Sequence, residues 1–386
     1  MKRFFSGRAL FSQARPLFSP ARPPRRILVV TLRYVGDALL TTPLIRSLKL
    51  AYPAARVDVL TGVGNAGVFA GNADVGRVIP LTSKRILNFA GLLVRLFRRY
   101  DLAISTQAGD RPLLCAVASG KISLGFVESG SPRWSWRRLA LRRALDFSAR
   151  QEHAVLENLR FCASLGVPPN YRVTPPFSAD YTPPDEAFAV LHIKPQWRYK
   201  EWRASGWLAT AAFLHAQGLR VVLTGGPKTE EMAAVGALER QLPFPVLNLS
   251  GRLSLAELGA LLRAARLFIG PDTGVTHMAA AAGTPVVALF GPTDPRIWGP
   301  WPAEFALDRA PFVSVGDQRA GNVWLVQGVT GNGCMPCQRE GCGGTQVSVS
   351  ECLLDLPAEK IIAAARALLE SGAALRNPGK LGQEVG

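Results

Sequence analysis

The segment from Gly270 to Pro292 has the residue types and spacing of a phosphate-binding site. An apolar run is followed by Asp272, Thr273 and Gly274, and a run of small residues that favours a helix begins at once. Free backbone N–H groups at a helix start favour phosphate, and Thr273 can add a hydroxyl donor. His277 lies about one turn into the helix, where it can face the same anion. Asp272 or Thr273 could instead only cap the helix, but capping alone does not require the histidine and the tight glycine.

Further candidates for the same ligand lie outside this segment. The turn Gly291–Asp294 follows the next apolar run, and its Thr293 could line one side of a diphosphate pocket. Lys200 could supply a cation to the departing diphosphate, although it could also be an ordinary surface lysine beside Glu201. Glu231 follows a glycine turn and could accept hydrogen bonds from a ribose, a role for which its neighbour Glu230 competes.

These residues must be positioned by an open α/β fold. Arg26–Leu32 is a continuous apolar run of the kind that buried parallel strands show, and a helix is predicted from about Ala38 to Ala51. Strands and helices then alternate as far as a proline-rich linker at 168–184, after which the pattern restarts. The sequence therefore predicts two Rossmann-like doubly wound domains that face each other across a cleft, with ligands at the carboxyl ends of the strands. The predicted ranges are a disordered basic tail at 1–25, domains at 26–175 and 185–356, and a terminal helix at 357–371.

Four ordered motifs together resemble one known family, the lipopolysaccharide core heptosyltransferases of glycosyltransferase family 9. The motifs are Gly36-Asp37 with Thr42-Pro43, the stretch Tyr100–Gly109, Lys200-Glu-Trp202 with Trp207, and Asp272-Thr-Gly-x-x-His277 with Leu289-Phe-Gly-Pro-Thr293. The resemblance implies a GT-B type fold, an inverting transfer, ADP-heptose as donor and the inner core on lipid A as acceptor. It makes 26–175 the acceptor domain and 185–356 the donor domain, which would hold Lys200, Glu231, Asp272, Thr273, Gly274, His277 and Thr293.

With this resemblance, Asp37 is the candidate catalytic base. An inverting transfer needs a group that takes the proton of the acceptor hydroxyl, and Asp37 follows the first strand. The alternative is that Asp37 is the N-cap of the following helix. No Asp-x-Asp occurs in the chain, so the usual means of holding a divalent cation on the diphosphate is missing. We therefore expect a transfer that requires no cofactor for catalysis.

The acceptor side is predicted from charge. The segment Ser131–Arg143 combines arginines with tryptophans and leucines, which is typical of a basic helix at a membrane surface. Within it Arg137 and Arg138, together with Arg111, are candidates for binding the phosphates of the acceptor. The alternative is a solvated basic face with buried tryptophans.

The composition agrees with an anionic partner. The formal net charge of the 386 residues is +17, which an Arg-rich composition alone could also produce. The basic tail at 1–25 could touch anionic lipid, although an organellar transit peptide has the same composition. No apolar run is long enough to cross a membrane, so a transmembrane helix is not expected. The family resemblance implies a peripheral position at the cytoplasmic face of the inner membrane. Nucleic-acid binding is not expected because the recognition motifs are missing, and the first glycine loop lacks the dinucleotide fingerprint of a dehydrogenase.

Four cysteines near the C-terminus form the last cluster. Cys334 and Cys337 have the spacing of a metal knuckle, and with Cys342 and Cys352 they could hold a structural zinc. The alternatives are reduced packing thiols or a redox-labile pair. The stretch is similar to that of the heptosyltransferase III type, which favours transfer of the branch heptose.

Overall fold

The computed structural model describes residues 17–82, 86–147, 151–328, 330–331 and 333–376. Most of the predicted basic tail, residues 1–16, lies outside the described residues. The chain divides into two compact units, with the division between Pro176 and Phe177. Phe305–Ala310 belongs to unit 1, although these residues were predicted to lie in the second domain. Asp308 of this segment interacts with Tyr171, which also lies in unit 1.

Unit 1 contains a six-stranded, all-parallel sheet with the order β3-β2-β1-β4-β5-β6. Its strands are β1 Arg26–Thr31, β2 Arg56–Gly62, β3 Arg77–Leu81, β4 Tyr100–Ser105, β5 Gly120–Glu128 and β6 Arg143–Phe147. Its helices are α1 Val35–Leu39, α2 Thr42–Ala51, α3 Ile86–Leu96, α4 Asp110–Ser119, α5 Trp136–Leu139 and α6 Ala154–Leu165, with a 3₁₀ helix at Val63–Phe69. The strand order reverses between β1 and β4, which makes the carboxyl ends of these two strands the expected ligand position.

The sequence of β1 explains its central place. Residues Ile27 to Val30 are fully buried, as expected for a strand covered on both faces.

The single helix predicted over 38–51 is wrong, because α1 ends at Leu39 and α2 begins at Thr42. Pro43 causes the break: it has no N–H to continue the helix from α1, and its fixed φ suits the first turn of a new helix.

Unit 2 contains a seven-stranded sheet with the order β12-β13-β11-β10-β7-β8-β9, in which only the edge strand β12 runs antiparallel to its neighbour. Its strands are β7 Phe188–His192, β8 Arg220–Thr224, β9 Leu247–Asn248, β10 Leu267–Pro271, β11 Val286–Phe290, β12 Gln318–Ala320 and β13 Val323–Gln327. Its helices are α7 Ala204–Ala216, α8 Thr229–Glu239, α9 Leu255–Ala264, α10 Gly274–Ala281, α11 Pro295–Trp298, α12 Glu351–Leu354 and α13 Ala358–Arg376, with a 3₁₀ helix at Arg198–Lys200.

The order of this second sheet reverses between β7 and β10. A crevice outside the carboxyl ends of these two strands is therefore the expected ligand position in unit 2. The terminal helix α13 packs on the sheet through Ile361, Ala365 and Leu368, which are buried in the core of this unit. Among the helices that the structure describes, none is both long enough and apolar enough to span a membrane.

Candidate functional site

The predicted phosphate turn lies at the carboxyl end of β10. Thr273 is the N-cap of α10, and its Oγ1 accepts a hydrogen bond from the Thr276 backbone N–H at 3.4 Å. Asp272 does not cap the helix, because its Oδ2 accepts a hydrogen bond from Lys200 Nζ at 2.6 Å. The capping interpretation thus holds for Thr273 and is wrong for Asp272. The first two N–H groups of α10, those of Gly274 and Val275, are not used by this cap and are the usual anion-binding groups of a helix start.

The ion pair between Lys200 and Asp272 joins the two strands at which the sheet order reverses. Lys200 ends the 3₁₀ helix that follows β7, and Asp272 directly follows β10. The two side chains are 18% and 7% exposed, so the pair lies largely away from bulk water. The interpretation of Lys200 as a surface lysine beside Glu201 is wrong, because Glu201 pairs with Lys194 instead.

His277 lies beside this pair and is buried. Burial lowers the pKa of His277 to about 4, with Asp272 acting in the opposite direction and Lys200 in the same one, so the imidazole is neutral at pH 7. Among the described residues, no partner hydrogen-bonds to its buried Nδ1 atom. Buried polar atoms in proteins are nearly always hydrogen-bonded, so an unpartnered ring nitrogen at a helix start indicates a ligand position.

Two tryptophans hold Lys200 in place. Trp202 is buried, donates its indole N–H to the Leu356 carbonyl oxygen at 2.9 Å, and packs edge-on against Trp207 with 5.0 Å between ring centroids. A Cβ atom on Gly206 would lie 2.4 Å from the Trp202 ring, which explains the glycine. The Lys-x-Trp…Trp motif thus combines one polar site residue with two packing residues.

The turn after β11 is shaped by a close approach of the chain. A Cβ atom on Gly291 would lie 2.6 Å from the Leu353 side chain and 3.5 Å from Cys352 Sγ. Asp294 caps α11 by accepting a hydrogen bond from the Arg296 N–H at 2.9 Å. Thr293 lies between these fixed residues and is partly exposed, as a residue at the edge of a pocket would be.

Glu231, in the first turn of α8, is oriented toward the glycine turn after β8. The Gly226 N–H donates to Glu231 Oε2 at 2.8 Å, whereas Glu230 is exposed. His192, the last residue of β7, was not among the predicted site residues. Its Nδ1 lies 3.1 Å from Thr224 Oγ1, and burial lowers its pKa to about 4. Its position at the end of a buried strand beside the reversal point was the available signal.

In unit 1, Asp37 lies just beyond the carboxyl end of β1. The N-cap of α1 is Tyr34, which makes no side-chain capping bond, so the interpretation of Asp37 as an N-cap is wrong. Asp37 is in the first turn of α1, and its carbonyl oxygen accepts a hydrogen bond from Thr41 Oγ1 at 2.8 Å. The reversal point between β1 and β4 thus carries a half-buried carboxylate.

Gln107 lies at the same end of the sheet, in the loop that follows β4. Its Oε1 accepts the Leu32 N–H at 3.1 Å, which ties the loop after β4 to the loop after β1. Its Nε2 is buried and has no hydrogen-bond partner in the part of the chain that the structure describes. The motif Tyr100–Gly109 contained this residue, but its side-chain role was not predicted.

The predicted acceptor arginines are engaged within unit 1. Arg137 pairs with Asp110 at 2.7 Å and with Glu128 at 3.3 Å, and Arg138 pairs with Asp146. The guanidinium carbon of Arg111 lies 4.8 Å from the centroid of the Phe89 ring.

The continuous basic helix predicted over Ser131–Arg143 is wrong. Only α5, Trp136–Leu139, is helical, because Pro132 begins a turn and the Arg142 N–H joins the sheet through the Ser123 carbonyl. The alternative of buried tryptophans is also wrong, since Trp134 is 79% exposed.

The cysteine cluster packs behind the turn at Gly291. Cys334 and Cys342 are exposed, Cys337 is partly exposed and Cys352 is buried. Burial, followed by the nearby thiols of Cys337, Cys342 and Cys334, raises the pKa of Cys352 to about 12. Within the described ranges, no group of three or more His, Cys, Asp or Glu side chains is arranged to hold a metal ion. The structural zinc stays a prediction.

Comparisons with known proteins agree with this architecture. The family model of glycosyltransferase family 9 (heptosyltransferase) matches residues 94–307, more than half of the 386 residues. The chain is 31% identical over 291 residues to lipopolysaccharide heptosyltransferase 3 of Escherichia coli, which covers 70% of this chain and 84% of that protein.

Solved structures show the same fold. A family 9 glycosyltransferase from Veillonella parvula superposes with a TM-score of 0.71 at 20% identity, covering 90% of this chain and 97% of that one. The E. coli ADP-heptose lipopolysaccharide heptosyltransferase II gives a TM-score of 0.69 at 19% identity, covering 90% of this chain and 100% of that one. The predicted α/β fold of the GT-B type is therefore confirmed. The chain belongs to glycosyltransferase family 9, the heptosyltransferases, and is a glycosyltransferase.

Proposed function

We propose that the protein transfers heptose from ADP-heptose to the inner core of lipopolysaccharide. One observation carries the donor assignment: a buried His277 ring nitrogen without a described partner lies beside the Lys200–Asp272 ion pair at the reversal point of the sheet in unit 2. Relatives named lipopolysaccharide heptosyltransferase 3 and ADP-heptose lipopolysaccharide heptosyltransferase II support the choice of sugar and acceptor.

The donor diphosphate binds at the start of α10. The backbone N–H groups of Gly274 and Val275 and the Thr273 hydroxyl donate to its oxygens, and neutral His277 donates one further N–H. Asp272 positions Lys200, whose ammonium group balances the negative charge that grows on the leaving ADP. Thr293 lines the opposite turn, and Glu231 accepts a hydrogen bond from the ribose.

The transfer uses Asp37 as general base. The oxygen of an acceptor hydroxyl attacks the anomeric carbon, and its proton passes to the Asp37 carboxylate. The bond between the anomeric carbon and the diphosphate oxygen breaks, and ADP leaves with the electron pair. Attack from the face opposite to the leaving group inverts the configuration at the anomeric carbon. Lys200 and the N-terminus of α10 supply the stabilisation of ADP, so the chemistry requires no further cofactor.

The acceptor is bound by unit 1 at a membrane surface. Arg111, Arg137 and Arg138 are the candidates for acceptor phosphates, with the last two positioned by the acids with which they pair. The position proposed for the enzyme is peripheral, at the cytoplasmic face of the inner membrane. The branch heptose is the sugar favoured by the similarity to heptosyltransferase 3.

A ligand-stabilisation scan tests the donor assignment. We expect ADP and ADP-heptose to raise the unfolding temperature in the presence of EDTA, and UDP, GDP and NAD to leave it unchanged. Stabilisation by UDP or GDP instead would mean that the protein is a glycosyltransferase that uses a different nucleotide-sugar donor. Stabilisation by none of these nucleotides would contradict the phosphate site at α10.

A further inference from the structure

Unit 1 has a second charged site, which lies at the amino ends of its strands and therefore at the end of the sheet opposite to Asp37. A cavity of about 130 Å³ lies there, with arginines around its rim: Arg26, Arg56, Arg77, Arg95 and Arg99. The first three are the opening residues of β1, β2 and β3, so the cavity lies at the amino ends of the strands. Asp37 follows the carboxyl end of β1, which at about 3.3 Å per residue lies about 20 Å away. The cavity is therefore a site separate from the proposed base.

Most of the positive charge in this cavity is not neutralised by the protein. Asp58 on its floor is buried, and it is satisfied by Arg56 Nε at 2.8 Å and by the Tyr100 hydroxyl at 2.9 Å. In the described part of the chain, no acid pairs with Arg77, Arg95 or Arg99 within 4 Å. Five guanidinium groups thus surround one carboxylate that is already compensated. Several guanidinium groups close together offer paired N–H donors, which suit the oxygens of a phosphate group.

The volume of the cavity fits this ligand. Its 130 Å³ exceeds several-fold the roughly 10–15 Å³ that one water molecule needs on the same measure, so the cavity has room for a phosphate group with part of its ester substituent. The apolar part of the floor, Ile79 and Leu96, offers no polar group to a larger hydrophilic ligand.

The helix that carries Arg95 exposes an apolar stripe beside the cavity. On α3 and just beyond its end, Leu87, Val94 and Phe97 are 85%, 77% and 63% exposed, and Ala90 between them is also exposed. The spacing of three and four residues places them on one face. The other face, with Leu92 and Leu96, is buried in the core beneath the sheet. An exposed apolar stripe with arginines at its side is typical of a helix that lies in a membrane interface.

We propose that α3 and the arginine cavity form a docking surface for an anionic phospholipid bilayer, in which the apolar stripe enters the headgroup layer and the cavity binds a lipid phosphate. The inference deepens the proposed function, because an enzyme with a lipid-linked acceptor must work at a membrane surface. It assigns the contact to α3 rather than to the segment Ser131–Arg143.

Vesicle binding of the full-length protein tests this surface. The vesicles contain phosphatidylcholine alone or phosphatidylcholine with phosphatidylglycerol, and bound protein is measured by co-sedimentation. The variant Arg77→Gln/Arg95→Gln/Arg99→Gln should bind anionic vesicles about 100-fold more weakly, which is about five-fold, or about 1 kcal/mol, for each arginine near the surface. A matched control, Arg172→Gln/Arg240→Gln/Arg263→Gln, removes the same charge at exposed positions elsewhere and should bind like the parent.

The apolar stripe is tested by salt. High ionic strength screens the contacts of the arginines, so the binding that remains depends on the apolar side chains. Leu87→Ser/Val94→Ser/Phe97→Ser should therefore lose this salt-resistant binding. All variants change exposed side chains, and a far-UV circular dichroism spectrum and a urea unfolding curve that match those of the parent check that each one is folded.

Equal loss in the cavity variant and its control would overturn the proposal, because charge alone would then explain binding. A second outcome would also overturn the proposal: the parent binds no anionic vesicles, inorganic phosphate stabilises the parent, and the cavity variant loses this stabilisation. The ligand would then be a soluble phosphate. Failure of the proposed function is separate: it appears as loss of ADP binding by the parent, whatever the vesicles show.

Discussion

At the scale of single residues, His277 and Lys200 carry the clearest prediction for donor binding. His277→Ala removes an N–H donor to the diphosphate, and hydrogen bonds to charged groups stabilise by about 1.5–3 kcal/mol, so ADP affinity should fall about 10- to 100-fold. Lys200→Ala leaves Asp272 unpaired next to the ligand, and an equal or larger loss is expected. Isothermal titration calorimetry with ADP measures both.

Lys194 provides the matched control for this experiment. It lies in the same loop and pairs with Glu201 instead of Asp272. Pairs of this partly exposed kind stabilise by about 0.2–1 kcal/mol, and Lys194→Ala should leave ADP affinity nearly unchanged. If His277→Ala and Lys200→Ala also bound ADP like the parent, the diphosphate would not lie at the start of α10.

Asp37 is tested by separating binding from transfer. Asp37→Asn keeps the shape of the side chain and removes the group that takes the proton, so we expect ADP affinity to be unchanged and turnover to fall about 10²- to 10⁴-fold. Asp37 lies in unit 1 and the donor residues lie in unit 2, which makes an indirect effect on ADP binding unexpected. Transfer at the parent rate by this variant would show that another group is the base.

The thiols form the third prediction at this scale. Because Cys334 and Cys342 are exposed, we expect iodoacetamide to alkylate both in the native protein. Burial raises the pKa of Cys352, Cys115 and Cys162 to about 12, so these three should react only after unfolding. Mass spectrometry of the peptides locates the label. Protection of Cys334 and Cys342 that a chelator removes, with one zinc per chain by elemental analysis, would contradict this and support the tetrathiolate zinc.

At the scale of elements, α7 shows how packing fixes a functional residue. Gly206→Ala would place a methyl group 2.4 Å from the Trp202 ring, which cannot retreat because its N–H is bonded to Leu356. Overpacking of this kind destabilises by about 1–3 kcal/mol, against a gain of up to about 1 kcal/mol from the helix propensity of alanine. We expect a net loss of stability in urea, and weaker ADP binding because Trp202 positions the loop of Lys200. Full stability and affinity would mean that the indole ring adjusts freely.

Elements that are specified by local pattern were predictable from the sequence. The continuous apolar run of β1 and the small-residue start of α10 give the strand and the helix that the structure shows. The pairing of Lys200 with Asp272 could not be predicted, because it depends on the sheet order that places β7 beside β10. The same holds for Phe305–Ala310, which is held by a tertiary contact of Asp308 and not by its local sequence.

At the scale of the whole molecule, the stability of unit 2 should depend on pH. His192 and His277 both lie in unit 2, and burial lowers the pKa of each from its ordinary value of 6.5 to about 4. Between pH 6.5 and 4 these two rings bind more protons in the unfolded chain than in the folded protein. The stability that comes from keeping these rings neutral is therefore complete above pH 6.5 and is lost as the pH falls toward 4.

The size of this loss can be measured on unit 2. At pH 5 each histidine should lower the free energy of unfolding by about 2 kcal/mol relative to pH 7, which is about 4 kcal/mol for the two. Urea unfolding at both pH values gives the difference, and ADP, which binds unit 2, identifies the transition that belongs to this unit because it shifts that transition upward. His277→Gln removes one titrating ring and should halve the pH dependence. A transition of unit 2 with the same stability at pH 5 and pH 7, in the parent and in the variant, would show that the two rings bind protons in the folded protein as they do in the unfolded chain, which would contradict the lowered pKa of His192 and His277.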